Sequence, residues 1–455
     1  MRLASVLLFC ASLRAASPFL VEPYLQLGDA RLLQQSETLT LLWQTPDDSS
    51  DWAVELKRPL GKMKTPLWRK TNAPTNRRIV VRGIEPHRVW RATLTGLAPG
   101  ADFEYRVLHA GKLVFDGKGR ARKGANQAFK FVAFGDCGSN TPSEKLVAGQ
   151  ALKQNPDFVF IPGDIVYTRG RIAEYREKFW PFYNSGEEPL MRSILFISAP
   201  GNHDTAGRDV SAFPDGLAYY YYWAQPLNGP MHSSFGTLTG ADTDQGAFRD
   251  AAAENFPRMS NFSFDYGNSH WLVLDTNTYA EWTDPKLRQW IADDLASTKA
   301  TWKFVGFHHP GFNSSKAHRE EQQARVLSEL FEAGGVDVVI SGHVHNYQRS
   351  FPMTFKGEPA TFPLKQVAGK WSLDKSYDGE KNTSPKGVIY LVTGAGGAGL
   401  YDPAQTDNPE TWLEFTAKFK SNVHSLTSAE IDGRTAKFRQ ISETGEVLDS
   451  FTITK

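Results

Sequence analysis

The feature that most constrains the fold is a series of short apolar runs, each followed closely by a polar turn that contains glycine or proline. The runs at residues 129–134, 158–161, 194–197, 302–307 and 336–340 lead into GDCG, PGD, APGNHD, HHP and SGHVH. Apolar runs of this length, separated by helical segments, predict buried strands of an α/β domain. In open sheets, ligands bind at the carboxyl ends of the strands, so these turns are expected to line one site.

Three helices are expected between these strands, at residues 144–152, 285–297 and 320–333. The stretch from Asp204 to Phe262 is long and irregular, which indicates an insertion beside the site. It contains the run YYYYW at residues 219–223, which is open to two interpretations: a surface that stacks on a substrate, or a packed aromatic cluster. Packing is the favoured interpretation.

The segment before this region is different in character. Residues 18–123 show turn residues at near-regular intervals and no convincing helix, which is typical of an antiparallel β-sandwich of about a hundred residues. The remainder, 124–455, is predicted to be a separate α/β domain with a two-sheet β core flanked by helices. The predicted strands of the first domain lie at residues 39–43, 54–56, 78–81, 90–94 and 103–107.

The composition excludes some classes of partner. The chain has 455 residues, enough for two or three domains, and a formal net charge of +1. No run of five or six like charges occurs, so no nucleic-acid partner is expected. Residues 1–17 combine Arg2, an apolar run and small residues, which predicts a signal peptide and a secreted or periplasmic protein. No other segment predicts a membrane span, and Cys137 is the one cysteine after the signal.

The polar turns carry a set of possible metal ligands. One aspartate beside glycine usually reflects turn chemistry, but five such turns rich in Asp, Asn and His are hard to explain in that way. Mixed imidazole and carboxylate ligands suit zinc, iron or manganese, and a carboxylate can bridge two ions. Two adjacent ions form a clamp for phosphoryl oxygens. The candidate residues are Asp136, Asp164, Tyr167, Asn202, His203, His308, His309, His343 and His345.

In order, the motifs resemble those of one enzyme family. GDCG, GDIVY, GNHD, VGFH and GHVH are similar to the five blocks of the purple acid phosphatases, which belong to the calcineurin-like metallophosphoesterases. The stretch LTGLAPG followed by Tyr105 resembles a fibronectin type III domain, which many members of this family carry. The resemblance covers nearly the whole chain after residue 17 and implies a hydrolase that acts on small phosphate esters.

Carried over to this chain, the resemblance implies two metal positions that share Asp164. Tyr167 implies a ferric ion at metal 1, because a phenolate is a hard anionic donor, with zinc, manganese or iron at metal 2. The alternative for Tyr167 is a packing role beside a zinc or manganese pair. The implied ligands are Asp136, Asp164, Tyr167 and His345 for metal 1, and Asp164, Asn202, His308 and His343 for metal 2.

The resemblance also implies a reaction. A metal-bound hydroxide would attack the phosphorus of a metal-bound phosphate monoester. His203 and His318 would lie on the substrate side, neutralise charge and protonate the leaving group. Imidazole titrates near roughly pH 6.5, so mildly acidic conditions are expected to favour the reaction.

Three residues depart from the family pattern or stand outside it. Asp204 replaces the glutamate common after the GNH block, which leaves its ability to orient His203 open. Cys137 is expected to be a small buried side chain. His309 directly follows His308, and successive side chains of an extended chain point to opposite faces. We therefore predict a second-layer or structural role for His309.

Two other functions fit the same residues less well. One is a zinc- or manganese-dependent phosphodiesterase or nucleotidase, with substrate choice set by the insertion from Asp204 to Phe262. The other is a non-enzymatic adhesion or binding protein built on the sandwich domain. The complete ligand set argues against the second, because a degenerate site is expected to lose ligands.

Overall fold

The computed structural model describes residues 17–58 and 67–455. Residues 1–16 of the predicted signal peptide, which include Cys10, lie outside the described residues. The described chain begins with eight strands, and no helix is found within its first hundred residues. They are β1 (Val21–Gln26), β2 (Glu37–Pro46), β3 (Trp52–Lys57), β4 (Trp68–Lys70), β5 (Thr75–Ile79), β6 (His87–Leu97), β7 (Asp102–His109) and β8 (Lys112–Arg120).

These strands form two antiparallel four-stranded sheets, ordered β1-β2-β6-β5 and β4-β3-β7-β8. Alternate residues of β3 are buried, as expected for a strand with one face against a core. The two sheets meet through tryptophans. The ring centroid of Trp52, on β3, lies 5.7 Å from that of Trp43 on β2 and 5.9 Å from that of Trp90 on β6. The predicted all-β sandwich is therefore confirmed.

The rest of the chain supplies fifteen strands. They are β9 (Phe129–Ala133), β10 (Phe158–Pro162), β11 (Leu195–Ala199), β12 (Phe262–Tyr266), β13 (Ser269–Leu274), β14 (Trp302–Phe307), β15 (Val338–Ser341), β16 (Tyr347–Ser350), β17 (Met353–Gly357), β18 (Gly369–Leu373), β19 (Ile389–Thr393), β20 (Thr416–Lys420), β21 (Ser425–Asp432), β22 (Thr435–Ser442) and β23 (Val447–Thr454).

Two mixed sheets dominate this part, ordered β11-β10-β9-β21-β22-β23 and β12-β13-β14-β15-β19-β16-β20, while β17 and β18 form a separate hairpin. Strands β9, β10 and β11 run parallel, as do β13, β14, β15 and β19. The sheets pack through aromatic side chains. Phe131 of β9 lies 4.9 Å from Trp271 of β13 and 5.7 Å from Phe304 of β14, between ring centroids. The predicted two-sheet α/β core is confirmed.

Helices cover this core and connect its strands. The helix predicted at 285–297 has those bounds, whereas the one predicted at 320–333 begins only at Ser328, after the 3₁₀ turn Gln323–Leu327. The α-helices are α1 (Pro142–Gln154), α2 (Ile172–Lys178), α3 (Trp180–Tyr183), α4 (Leu190–Ser193), α5 (Asn202–Thr205), α6 (Tyr219–Tyr222), α7 (Asp242–Ala252), α8 (Asn255–Arg258), α9 (Pro285–Ser297) and α10 (Ser328–Ala333).

The insertion between Asp204 and Phe262 holds α6, α7 and α8. All four tyrosines of α6, Tyr219–Tyr222, are fully buried. The interpretation of YYYYW as a packed cluster is therefore confirmed. Among the described residues, no helix is long and apolar enough to cross a membrane.

Arg122 joins the sandwich to the α/β part. Its guanidinium is buried and pairs with the buried carboxylate of Glu37 at 2.7 Å. It also donates hydrogen bonds to the carbonyl oxygens of Leu32 and Asp265, at 3.0 and 2.9 Å. One side chain thus links the connection between β1 and β2, the connection between β8 and β9, and the end of β12. The domain boundary at 123/124 stays a prediction.

Candidate metal centre

The predicted ligands lie at the carboxyl ends of strands from both mixed sheets. Asp136, Asp164 and Asn202 follow β9, β10 and β11 of one sheet, and His308 follows β14 of the other. The pair His343 and His345 follows β15. The carboxyl ends of the parallel strands in the two mixed sheets therefore bring these residues together, as the sequence pattern predicts.

Several of these residues have an unusual backbone conformation. Asp136, Asp164 and His343 have φ values of 59°, 51° and 68°. A non-glycine residue in this left-handed region is uncommon and costs conformational energy. Such residues cluster at functional sites, where the turn aims the side chain inward.

The first group of ligands is compact. The phenol oxygen of Tyr167 lies 3.1 Å from Oδ1 of Asp136 and 2.9 Å from Nε2 of His345. Nε2 of His345 lies 3.4 Å from the same Asp136 oxygen. Three donor atoms of different chemistry thus converge on one point, all on buried side chains. Tyr167 is part of this group, and its ring also packs on that of His203, with centroids 4.4 Å apart.

The second group lies beside the first. Nε2 of His308 is 3.2 Å from Oδ2 of Asp164 and 3.0 Å from Oδ1 of Asn202. Ligand atoms of Asp164, His308 and His343 all lie within 4.8 Å of one another. All seven predicted ligands are therefore gathered into two adjacent groups.

Outward hydrogen bonds fix the orientation of two ligand imidazoles. Nδ1 of His308 lies 2.8 Å from the carbonyl oxygen of Pro162, and Nδ1 of His345 lies 2.6 Å from that of Gly399. A carbonyl oxygen only accepts, so Nδ1 of each ring carries the proton and donates. The lone pair of each Nε2 then points inward, as a metal ligand requires. The residues therefore fit a metal pair.

The charges in the pocket favour a cation. Burial opposes the ionisation of Asp164, but the adjacent His308 outweighs it and lowers the pKa of this carboxyl below its usual range. Burial likewise disfavours charge on His308, whereas the Asp164 carboxylate raises the pKa of this imidazole to about 9. The pocket thus stabilises positive charge opposite Asp164.

His203 lies on one rim of the metal centre. Its Nδ1 is 2.9 Å from the carbonyl oxygen of Thr168, so Nδ1 donates and Nε2 lies 3.9 Å from Oδ2 of Asp164. The buried carboxylate of Asp204 has another role than orienting this ring. It accepts hydrogen bonds from the backbone N–H groups of Gly201 and Ile165, at 2.8 and 3.1 Å, and so joins two ligand turns.

His318 lies beside the second group, with its ring 4.2 Å from that of His343, and sequence reasoning missed its partner. Nδ1 of His318 is 2.9 Å from one carboxylate oxygen of Glu321. The other oxygen of Glu321 lies 2.9 Å from Nε2 of His343. Burial disfavours the Glu321 carboxylate, but its hydrogen bonds to the two histidines lower the pKa of this group. The sequence signal was the three-residue spacing from His318.

Tyr401 is a second residue that sequence reasoning missed. Its ring stacks on His345, with centroids 4.1 Å apart and an angle of 13°, and lies 5.5 Å from the ring of His318. It comes from the glycine-rich stretch after β19, which has no ligand pattern of its own. Tyr401 therefore lies between His345 of the first ligand group and His318.

His309 and Cys137 are both buried beside ligands. The backbone N–H of His309 donates to Oγ1 of Thr276 at 3.0 Å, and its ring lies 4.2 Å from that of His343. His309 thus supports a predicted ligand. Cys137 is fully buried, and burial raises the pKa of its thiol. The expectation of a small buried side chain agrees with this position.

Comparison with known proteins agrees with this geometry. Residues 129–347 match the sequence profile of the family described as calcineurin-like phosphoesterase. This match, just under half of the chain, covers all seven predicted ligands, from Asp136 to His345. The chain also shares its fold with a purple acid phosphatase isolated from yellow lupin seeds, with a TM-score of 0.68 and 19% identity, over 95% of this chain and 74% of the lupin chain.

The chain is also similar to purple acid phosphatases of Arabidopsis thaliana. It is 26% identical to probable inactive purple acid phosphatase 1 over 82% of this chain and 58% of that protein. It is 26% identical to purple acid phosphatase 22 over 48% of this chain and 45% of that protein. The chain thus spans well under two thirds of the length of either plant relative.

Proposed function

We propose that the protein is a secreted or periplasmic acid phosphatase that hydrolyses small phosphate monoesters at a binuclear metal centre. The single observation that carries this proposal is the gathering of all seven predicted ligands into two adjacent groups, with His203 beside Asp164 and His318 linked to His343 through Glu321. Metal 1 would be held by Asp136, Asp164, Tyr167 and His345, and metal 2 by Asp164, Asn202, His308 and His343.

The metal ions would supply positive charge for the phosphoryl oxygens and would acidify the attacking water. The protein's own part begins with Asp164, which lies between the two groups and would bridge the ions. One of its oxygens, Oδ1, accepts a hydrogen bond from the backbone N–H of His203 at 2.8 Å. The rim that carries His203 is therefore tied to the bridging ligand.

The rim histidines would handle the charge and the proton of the leaving group. Nδ1 of His203 is committed to the Thr168 carbonyl, and Nδ1 of His318 faces Glu321. In both rings Nε2 is left for substrate. When the ring is protonated, its Nε2–H can bind a phosphoryl oxygen or be transferred to the departing alkoxide, which leaves the neutral imidazole.

Tyr167 supports iron at metal 1. Its phenol oxygen lies among the atoms of the first group, where a hard anionic oxygen favours a ferric ion. The divalent partner would be zinc, manganese or iron. Secretion rests on the sequence pattern of residues 1–17 alone, and mass spectrometry of the mature N-terminus tests it.

The activity is tested with protein that retains the metals it acquires during expression. We expect hydrolysis of an aryl monophosphate to exceed that of a bis-aryl phosphate by at least tenfold, and Asp164→Ala to abolish both activities. Faster hydrolysis of the diester would favour a phosphodiesterase. Full activity in Asp164→Ala would refute a binuclear enzyme of either kind.

A further inference from the structure

A second group of possible ligands lies beside the metal 2 residues. One ring nitrogen of His309, one of His343 and a carboxylate oxygen of Glu321 all lie within 4.8 Å of one another. His318 approaches the same carboxylate, with Nδ1 at 2.9 Å. Three imidazoles therefore surround the single carboxylate of Glu321.

His309 is the unexplained member of this cluster. Its side chain is 2% exposed, and Nδ1 has no hydrogen-bond partner anywhere in residues 17–58 or 67–455. A buried polar atom without a partner costs free energy, and such an atom calls for an explanation. The ring is held in place by its backbone bond to Thr276 and by packing on His308 and His343.

The other two side chains have the right chemistry for a cation. Glu321 offers two carboxylate oxygens, and its side chain is 27% exposed. His318 is 31% exposed at the side chain, and its Nδ1 already contacts the same carboxylate at 2.9 Å. His318 is not in the group whose ligand atoms lie within 4.8 Å of one another, so its ring must turn from its packing on His343 to reach the ion. Two imidazoles and one carboxylate are a set that zinc accepts in open sites with a remaining position for water.

We propose that His309, Glu321 and His318 bind an additional zinc ion beside the predicted pair. His343 remains directed toward metal 2. The additional ion lies on the rim where His318 faces the substrate, so its binding removes His318 and Glu321 from the reaction. Excess zinc therefore inhibits the enzyme, and the pair itself stays in place.

The test compares wild type with His309→Phe, which keeps a ring of similar shape, and with His309→Ala. Each metal-loaded protein is equilibrated with zinc by dialysis against a fixed free concentration, and metal per chain is measured by elemental analysis. We expect wild type to hold about one more zinc per chain than either variant. Zinc in excess is expected to reduce hydrolysis by wild type at least tenfold more than hydrolysis by the variants.

Equal zinc content in wild type and both variants overturns the proposal. So does an additional zinc that persists in both variants. Because His309 packs on His308 and His343, the metal content of each protein before zinc is added is subtracted, so that the difference reports the additional ion alone. A chain without phosphatase activity that still shows the His309-dependent zinc would contradict the proposed function while supporting this site.

Discussion

The carboxylate of Glu321 lies 2.9 Å from Nε2 of His343, which leaves Nδ1 of this imidazole for the predicted metal 2. Carboxylate–histidine–metal arrangements of this kind fix the tautomer and raise the basicity of the ligand. The second oxygen of Glu321 faces His318 at 2.9 Å. One carboxylate therefore connects a metal ligand with a residue on the substrate side.

Replacing Glu321 by Gln is expected to weaken both connections. Loss of the charge should lower kcat or the affinity for metal 2 by about 10- to 100-fold, as for other carboxylates behind ligand histidines. Steady-state kinetics together with metal content at a fixed free metal concentration measure this. Glu320→Gln, at an exposed neighbouring position, is the matched control and should match wild type. Equal behaviour of the two variants would show that Glu321 has no such role.

His318→Ala is expected to lower turnover by about 10²- to 10⁴-fold, the range for a lost proton donor, and to leave the metal content unchanged. The loss should be larger for alkyl phosphates than for aryl phosphates, because an alkoxide needs a proton more than a phenolate does. The kcat values for a series of esters measure this dependence. His109→Ala, in the sandwich strand β7, serves as a histidine control. A uniform loss for all leaving groups would contradict the proton-donor role.

Tyr167→Phe is expected to remove the visible charge-transfer band and to weaken iron binding, because the phenolate oxygen is the donor that selects ferric iron. The absorption spectrum and the iron content report this directly. Tyr401→Phe is the control, since it keeps the ring stacked 4.1 Å from His345 and removes only the hydroxyl. A band that survives in Tyr167→Phe, or disappears in Tyr401→Phe, would show that another residue is the donor.

His270 predicts a pH dependence of stability that is separate from the metal centre. Its nitrogens lie 2.7 Å from Asp265 and 2.8 Å from Asp294. Burial disfavours the imidazolium, but the hydrogen bonds and charges of these carboxylates raise the pKa of His270 to about 9. A raised pKa stabilises the fold fully below the unfolded value of roughly 6.5, and this contribution is lost as the pH rises through about 9.

The corresponding measurement is denaturant unfolding at pH 6 and pH 9.5, with His270→Gln as the comparison. The difference between wild type and variant should shrink by roughly 3 kcal/mol between these pH values, from the width of the pKa shift. A difference that stays constant with pH would mean that His270 is buried in its neutral form.

The ligand set was predictable because each residue is fixed by its neighbours in sequence. Asp136, Asp164 and His308 directly follow or nearly follow buried strands, and a strand end places its next few residues at the sheet edge. Glu321 and Tyr401 lie in irregular segments, where no periodicity indicates direction. Their positions depend on contacts with His343, His318 and His345 that come from distant parts of the chain.

The secondary structure shows the same division. The helix Pro285–Ser297 has proline at its start and an aspartate cap, both visible in the sequence. The helix predicted at 320–333 begins only at Ser328. The side chains of Glu321 and Arg325, which precede it, form hydrogen bonds with residues from other parts of the chain. Arg325 donates to the carbonyl oxygen of Gly311 at 2.6 Å. The helix Asp242–Ala252 lies within the insertion, where the sequence pattern predicts irregular structure.

The central claim is a binuclear centre with ferric iron bound by Tyr167. Elemental analysis of protein purified without added metal, combined with a visible spectrum, tests it most directly. The account predicts about two metal ions per chain, at least one of them iron, with a charge-transfer band, and the loss of both ions in Asp164→Ala. Protein that binds metal but contains no iron and shows no visible band would contradict it.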